Sequence, residues 1–344
     1  MVDVTVRGAG IFGLSIAWEC ARRGAKIRVI EPKGPGAGSS GGLVGALAPH
    51  VPENWNEKKA FQLDSLLMAE RFWQTVEAAG GVSPGYARSG RIQPIADAAG
   101  LALARQREGT ARELWGDAAR WQVIPVADAG RFCPVSATGH VIHDTLTARM
   151  HPRRACAALV AALEAIGAEI LAEGSDQGRV VHATGLAGLE ELNAGRARVV
   201  GTGVKGQAAL LRFDAGEAPQ VFADAVHIVP HADGTVAIGS TSERDYDDPC
   251  ATDAQLDAVI DRAVAAMPVL HGAEVIERWA GARPRARSRA PMMGAHPLHD
   301  GQYIANGGFK IGFGMAPKVA EVMADLVLEG RDAIPEGFRP EVSF

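Results

Sequence analysis

Three glycines near the start of the chain, Gly8, Gly10 and Gly13, have the GxGxxG spacing of a dinucleotide-binding turn. The first glycine permits a tight turn, the second lets the backbone approach a pyrophosphate, and the third lets a helix pack against a strand. Glu31 follows at the distance at which an acidic side chain binds the ribose hydroxyls and disfavours a 2′-phosphate. This spacing predicts that the chain binds FAD or NAD rather than NADP.

Two later segments favour FAD over NAD. The segment GSSGGLVGALAP at Gly38–Pro49 comes directly after the expected ribose position, where an NAD enzyme usually continues with ordinary α/β units. Its small residues would let the backbone lie against a long ligand such as the ribityl chain and flavin. The segment RVVHATG at Arg179–Gly185 reads as a strand that ends in a turn of small residues. An NAD-linked dehydrogenase remains the alternative enzyme class.

The elements around the first motif form a β-α-β unit. Val2, Val4 and Val6 predict a short strand, Ile11–Arg23 a helix, and Ile27–Ile30 a second strand. Such a unit implies a right-handed crossover and a parallel sheet. The helix would direct its unpaired N–H groups and its positive dipole end at the pyrophosphate.

The rest of the chain mixes helical and antiparallel patterns. Lys58–Ala79 predicts an amphipathic helix, Val199–Ser240 an antiparallel sheet, Trp279–Gly294 a loop rich in arginine and proline, and Lys318–Leu328 the last strong helix. The predicted fold class is therefore α/β (mixed α+β), with a parallel-sheet Rossmann-type FAD-binding domain interleaved with an antiparallel-sheet substrate domain.

Each of the two domains is expected to be built from several separate segments of the chain. The FAD-binding domain is expected at residues 1–50, 140–190 and 280–344, and the substrate domain at 51–139 and 191–279.

Composition excludes several classes of function. The net charge of −5 argues against nucleic-acid binding, and no apolar stretch reaches the ~18 residues needed to span a bilayer. The four cysteines are scattered and show no Cys/His spacing that suits zinc, so we expect no metal site and reduced thiols. Folded structure is expected from Val2 onward, which argues against a signal peptide and favours a cytoplasmic protein.

Six motifs, spread over nearly the whole chain, resemble those of the D-amino-acid oxidase superfamily of FAD enzymes, which includes glycine oxidase and sarcosine oxidase. They are GAGIFG with Glu31, SSGGLVGALAP, the HATG turn, HIVPHADGTVAIGST at His227–Thr241, GARPRARSRAPMMG at Gly281–Gly294, and NGGFKIGFGMAP at Asn306–Pro317. The last three, in this order, are the most specific. The overall pattern is most similar to the glycine oxidases of thiamine biosynthesis.

The resemblance implies roles for individual residues. Arg283 would clamp a substrate carboxylate, and Lys310 and His227 would complete the catalytic site. FAD would be held by a larger set that includes the glycine turn, the ribose-binding acid and the loop beside the flavin: Gly8, Gly10, Ile11, Phe12, Gly13, Glu31, Ser39, Ser40, Val44, Gly45, Ala46, Leu47, Gly185, Arg283, Gly308, Phe309, Lys310, Gly312 and Phe313.

The chain also departs from the glycine oxidase pattern. Lys310 stands where those enzymes carry an arginine and is similar to the lysine of sarcosine oxidases; His227 replaces a pocket tyrosine, and Ala286 and Ser288 replace a threonine and an aspartate. These changes leave the FAD motifs intact and put glycine as the substrate in question. Because Asn306–Pro317 contains no cysteine, the FAD is expected to be non-covalent; His50 is the remaining candidate for a covalent anchor.

The expected reaction is oxidative deamination of a small, glycine- or sarcosine-like amino acid. A hydride would pass from the substrate α-carbon to flavin N5, water would hydrolyse the imine, and oxygen would accept the electrons. An amino acid or amine dehydrogenase that passes electrons to a carrier, and a non-catalytic flavin-binding subunit, remain alternatives. A homo-oligomer is left open; no nucleic-acid or membrane partner is expected.

Overall fold

The computed structural model describes all residues from Met1 to Phe344 and contains two large sheets. The strands are β1 (Val4–Arg7), β2 (Ile27–Ile30), β3 (Ala46–Leu47), β4 (Arg91–Pro94), β5 (Trp121–Pro125), β6 (His140–Asp144), β7 (Ala148–Arg149), β8 (Glu169–Leu171), β9 (Arg179–His182), β10 (Gly201–Arg212), β11 (Gln220–Ala223), β12 (Val226–Pro230), β13 (Thr235–Gly239), β14 (Glu274–Ala286), β15 (Met292–Ala295) and β16 (Tyr303–Asn306).

Seven α-helices accompany these strands. They are α1 (Ile11–Arg22), α2 (Glu57–Gly80), α3 (Ala98–Trp115), α4 (Pro152–Ala165), α5 (Gly185–Asn193), α6 (Ala254–Ala266) and α7 (Gly312–Ala324), the last continued by a π-helical turn at Asp325–Glu329. None of them combines the length with the apolar composition that crossing a lipid bilayer requires.

The predicted β-α-β unit forms the centre of a six-stranded sheet. Its strand order is β15-β16-β9-β1-β2-β8, and β1 pairs in parallel with both β2 and β9. Val4 and Val6 of β1 are buried in a core that includes residues of α1, α4 and α7, and Thr5, on the opposite face, is buried and donates to the Gln177 carbonyl at 2.8 Å. Both faces of β1 are therefore covered, as is usual in parallel sheets. Only β15, at the edge, runs antiparallel to its neighbour β16.

The second sheet is mostly antiparallel and has eight strands, in the order β14-β10-β13-β12-β11-β4-β6-β5. Its β10 and β14 form a long ribbon that pairs Gly201 with Ala286 at one end and Arg212 with Glu274 at the other. Mixed α/β architecture with one parallel and one antiparallel sheet confirms the predicted fold class.

Two element predictions need correction. Trp279–Gly294 is not a loop. Trp279 to Ala286 is strand, because the long partner strand β10 supplies hydrogen bonds that outweigh the local arginine and proline content. Met292 begins another strand, which pairs with β16. The last helix begins at Gly312 rather than Lys318, since its glycine-rich first turn packs against α1 and the α2 side chain Leu66.

The strands follow the proposed domain division in most places. The six-stranded sheet takes strands from all three proposed FAD-binding segments. However, β6 at His140–Asp144 and the end of β14 belong to the eight-stranded sheet. The domain boundaries themselves stay a proposal.

Candidate functional site

A long cleft runs between the two sheets and contains most of the predicted site. Its volume is about 1130 Å³, including its open mouth. One end is marked by Glu31 and the glycine turn before α1, and the other by Arg283 and Lys310. The side chains of Trp279 and Phe313 also line the wall.

The glycine turn is shaped by contacts behind the cleft. Gly8 has φ +102°, in the region that favours glycine, and a Cβ there would lie 2.3 Å from the carbonyl oxygen of Ala183. A Cβ on Gly13 would lie 1.9 Å from the Gly8 carbonyl oxygen. These two glycines therefore let β9, the turn and α1 pack closely, while Gly10 and Ile11 present their backbone to the cleft.

Glu31 is held in position at the end of β2. The backbone N–H of Ala9 donates to Glu31 Oε2 at 3.2 Å, and the N–H of Lys33 donates to Oε1 at 3.1 Å. The carboxylate thus lies beside the glycine turn and on the cleft wall. This is the placement expected of a group that binds ribose hydroxyls.

The Gly- and Ser-rich segment is held in place by a hydrogen bond to the glycine turn and by two side chains from distant elements. Ile11 N–H donates to the buried Ser40 Oγ at 2.9 Å, and Arg153 Nε donates to the Gly41 carbonyl at 2.8 Å. His231 Nε2 contacts the Leu43 carbonyl at 3.1 Å. These contacts place Ser39, Ser40 and Val44 on the cleft wall. Gly45, Ala46 and Leu47 do not line it, because Ala46 and Leu47 pair with β7.

The elongated groove suits FAD. Nearly half of its lining residues are glycine, alanine or serine, which leaves room for a pyrophosphate close to the main chain. The N-termini of both α1 and α7 lie on its wall, and their unpaired N–H groups favour anionic groups. The residues present therefore fit a long dinucleotide with negative charge.

Arg283 lies on β14, facing the cleft without a carboxylate partner. Its Nη2 donates to Ser240 Oγ at 2.7 Å and its Nη1 to the Thr241 carbonyl at 3.4 Å. Burial lowers the pKa of Arg283 to about 10, and the charge of Glu243 offsets part of this effect. Glu243 itself is engaged by Lys205, whose Nζ lies 3.4 Å from its carboxylate.

Lys310 is brought beside Arg283 by the loop before α7. Phe309 N–H donates to the Pro284 carbonyl at 3.0 Å, and Gly308 bridges to Arg285, so the loop is tied to the end of β14. Burial lowers the pKa of Lys310, as do the charges of Arg283 and Arg285. The ammonium has no hydrogen bond or ion pair to a protein group. Two cations thus share this end of the cleft without an anion between them.

His227 does not line the cleft wall. Its ring packs against Phe222, with centroids 4.6 Å apart, and its buried Nδ1 has no hydrogen-bond partner. Burial, together with the charges of Arg91, Lys310 and Arg283, lowers the pKa of His227 to about 3, so the imidazole is neutral at pH 7. Its catalytic role stays a prediction.

The cleft also contains residues that the sequence did not single out. Four of them belong to motifs named above and adjoin predicted cofactor-binding residues, so the sequence could have indicated their place in the cleft: Ala183, Thr184, Asn306 and Gly307. Trp279 and Ala208 carried no such signal, because only the pairing of β10 with β14 brings them to the wall.

Comparisons with known proteins identify the family and the fold. The profile of the family DAO, described as FAD dependent oxidoreductase, matches residues 3–326. The chain is 28% identical to the glycine oxidase of Pseudomonas putida, over 98% of both chains. It is 27% identical to the putative thiamine biosynthesis oxidoreductase ThiO of Rhizobium etli, over 94% of this chain and 96% of the relative. The solved glycine oxidase from Geobacillus kaustophilus has the same fold, with a TM-score of 0.85, 22% identity and 98% coverage of both chains.

Proposed function

The chain belongs to the DAO family of FAD dependent oxidoreductases, and from this premise we propose that it is an oxidase of a small amino acid such as glycine or sarcosine. The chain is an amino acid or amine oxidoreductase, and FAD is its cofactor. The observation that carries the finer proposal is the pair of cations, Arg283 and Lys310, that face one end of the cleft without an anionic partner.

Several residues of the cleft suit the binding of FAD. Gly10, Ile11 and Ser40 would hold the pyrophosphate and Glu31 the ribose, while the start of α7 would lie near the flavin. Bound FAD supplies the capacity to accept a hydride from the substrate α-carbon. The protein's own contribution is to bind and orient the substrate, which is worth several kcal/mol when reacting atoms are held in near-attack geometry.

The cation pair selects for a carboxylate. A guanidinium binds a carboxylate through two parallel hydrogen bonds, and Arg283 has donors that neutral oxygens only partly satisfy. Burial and the charges of Arg283 and Arg285 lower the pKa of Lys310, and an anion between Arg283 and Lys310 would relieve their repulsion. A simple amine offers no such anion and would add a third positive charge.

The same charges favour the reactive form of the substrate amine. Nearby positive charge disfavours an ammonium group, so Arg283 and Lys310 would promote loss of its proton to water. Oxidation needs the free amine, whose lone pair assists hydride departure. The site then needs no strong general base, and we assign no proton transfer to His227.

We further propose oxygen as the electron acceptor and a role in thiamine biosynthesis. The second proposal rests on the name of the Rhizobium etli relative. If the enzyme were a dehydrogenase, its reduced flavin would react only slowly with oxygen.

The first prediction is that denaturation releases all the FAD. None of the four cysteines lines the cleft, and burial raises the pKa of Cys156, which lies closest to Ser40, to about 12, so that its thiol is unreactive. Acid precipitation followed by filtration should leave the yellow colour in the filtrate. Flavin that remains with the pellet would contradict this prediction. A His50→Ala variant would then test the remaining anchor, although His50 lies off the cleft and bonds Gln62.

The second prediction tests the substrate class. Under anaerobic conditions glycine, sarcosine or a similarly small amino acid should bleach the flavin absorbance, whereas methylamine and ethylamine should leave it almost unchanged. The Lys310→Met variant should retain FAD and have a higher KM for the amino acid. Its preference for the amino acid over the amine, measured as the ratio of the two kcat/KM values, should be smaller than that of the parent. Stopped-flow absorbance separates reduction from reoxidation by oxygen.

Each outcome of this screen has a distinct meaning. If amines bleach the flavin as fast as amino acids do, the cation pair does not select for a carboxylate. If the flavin of the Lys310→Met variant is reduced at the normal rate but reoxidised slowly, Lys310 assists the reaction with oxygen instead. Lys318→Met, in α7 but paired with Glu321, is the matched control and should change neither half-reaction.

A further inference from the structure

Three histidines converge on the six-stranded sheet beside the cofactor cleft. His182 is the last residue of β9, and His296 and His299 lie in the HPLH turn between β15 and β16. One ring nitrogen of each lies within 4.8 Å of the others. The ring centroids are 4.4 to 4.8 Å apart. His182 and His296 are buried, and His299 is partly exposed.

One nitrogen of each ring already has a protein partner. His182 Nε2 contacts Gln302 Oε1 at 2.6 Å, and His299 Nε2 contacts Glu191 Oε1 at 2.8 Å. His296 Nδ1 accepts from the N–H of Leu298 at 3.1 Å. The other three nitrogens have no hydrogen bond to the protein.

The sequence spacing predicted no metal site, but the fold brings these three histidines together, and we propose that His182, His296 and His299 form a binding site for one divalent transition-metal ion of the Zn²⁺ class. Imidazole nitrogens suit Zn²⁺, Ni²⁺ and Cu²⁺ and are poor ligands for Mg²⁺ or Ca²⁺. Three such ligands with a fourth position open to water form a common zinc arrangement. The partly exposed His299 gives an ion access from solvent.

The surrounding groups match those that support metal-bound histidines. A carboxylate on the distal nitrogen fixes the ring and raises its basicity, and Glu191 occupies that position on His299. Gln302 plays the same part for His182. Arg7, the cation whose charge acts on His182, is paired with Asp176 at 2.8 Å, which reduces its repulsion of an ion.

Metal binding requires a small rearrangement. Zinc–nitrogen bonds of about 2.0–2.1 Å bring tetrahedral ligand atoms closer than the present separation, so the turn must close slightly. Binding through His296 Nε2 also places the ring proton on Nδ1 and breaks the local bond from Leu298. Both changes fall in the solvent-facing turn rather than in β9.

The site would link the HPLH turn to the cofactor cleft. His182 directly precedes Ala183 and Thr184, and β16 runs from the turn into Ala305 and Asn306, all four on the cleft wall. An ion would therefore clamp three segments, β9, the turn and α5 through Glu191, at the back of the FAD site. We infer a stabilising role for this ion.

The test is equilibrium dialysis of the FAD-loaded protein against ZnCl₂ in buffer containing excess Mg²⁺, followed by elemental analysis. We expect one Zn²⁺ per chain and a higher Tm with Zn²⁺ than without it, because an ion that binds only the folded state stabilises it. His299→Gln should abolish both effects, and Glu191→Gln should weaken binding by about 10- to 100-fold.

His271→Gln is the matched control, because His271 is exposed and outside the cluster. It should bind Zn²⁺ as the parent does. Flavin absorbance and circular dichroism check that each variant is folded. The proposal is overturned if the parent retains no stoichiometric Zn²⁺, or if folded His299→Gln retains as much as the parent. Neither result depends on the enzymatic reaction.

Discussion

Replacing Arg283 by lysine should lower kcat/KM for the amino-acid substrate by about ten- to a hundred-fold and leave FAD occupancy unchanged. Lysine keeps the positive charge but cannot form the two parallel hydrogen bonds of a guanidinium. The loss of one charge-assisted hydrogen bond is typically worth ~1.5–3 kcal/mol, which corresponds to that range. The effect should appear mainly in KM, because the carboxylate is bound before and during the reaction.

Steady-state kinetics and the flavin absorbance per chain measure this result. Arg278→Lys is the matched control, since Arg278 lies on the same strand β14 but on the exposed surface, paired with Asp257. Kinetics of Arg283→Lys equal to those of the control would remove Arg283 from the substrate site. Loss of FAD would show instead that Arg283 supports the cofactor.

Gly206→Ala should reduce kcat/KM, although the substitution replaces no charged residue. A Cβ at Gly206, on β10, would lie 1.9 Å from Arg283 Nη2 and 2.2 Å from its Cζ. The guanidinium would have to move, and it can do so because it is the end of a flexible side chain. A misplacement of about 1 Å can cost up to about a hundred-fold in rate. We therefore expect a large kinetic defect with little loss of stability.

The double variant tests the cause. If Gly206→Ala acts through the Arg283 guanidinium, adding it to Arg283→Lys should cost less than the product of the two single effects, because both disturb the same group. Gly109→Ala is the control, because a Cβ there meets no atom within 4 Å. Fully multiplicative defects would mean that Gly206 affects the site independently of Arg283.

Local sequence was sufficient to predict the arrangement of the glycine turn, the helix after it and the strand that leads to Glu31. The turn at Gly8–Gly13, the strand at Ile27–Ile30 and Glu31 follow one another along the chain, so their arrangement depends on short-range backbone geometry. A positive φ at Gly8 and close packing at Gly13 are requirements that residue type alone reveals. The helix at Glu57–Gly80 was equally clear, because its apolar residues recur with helical spacing.

Local composition misled where long-range pairing decided the structure. The run from Trp279 to Ala286 contains Gly281 and Pro284, two residues unfavourable to a strand. It is a strand nevertheless, because β10 pairs along its whole length. Helix α7 likewise begins in a glycine-rich segment, where packing against neighbouring helices compensates for weak helix propensity.

The sequence alone determined the family, the cofactor and the residue types available for chemistry. Only the tertiary structure decided which of them meet. Arg283 and Lys310 share one end of the cleft because the loop at Phe309 bonds to Pro284, and His182 meets His296 and His299 because β9 and β16 are neighbours. Turn geometry depends on adjacent residues and can be read from them, whereas strand order arises from the simultaneous burial of many distant side chains.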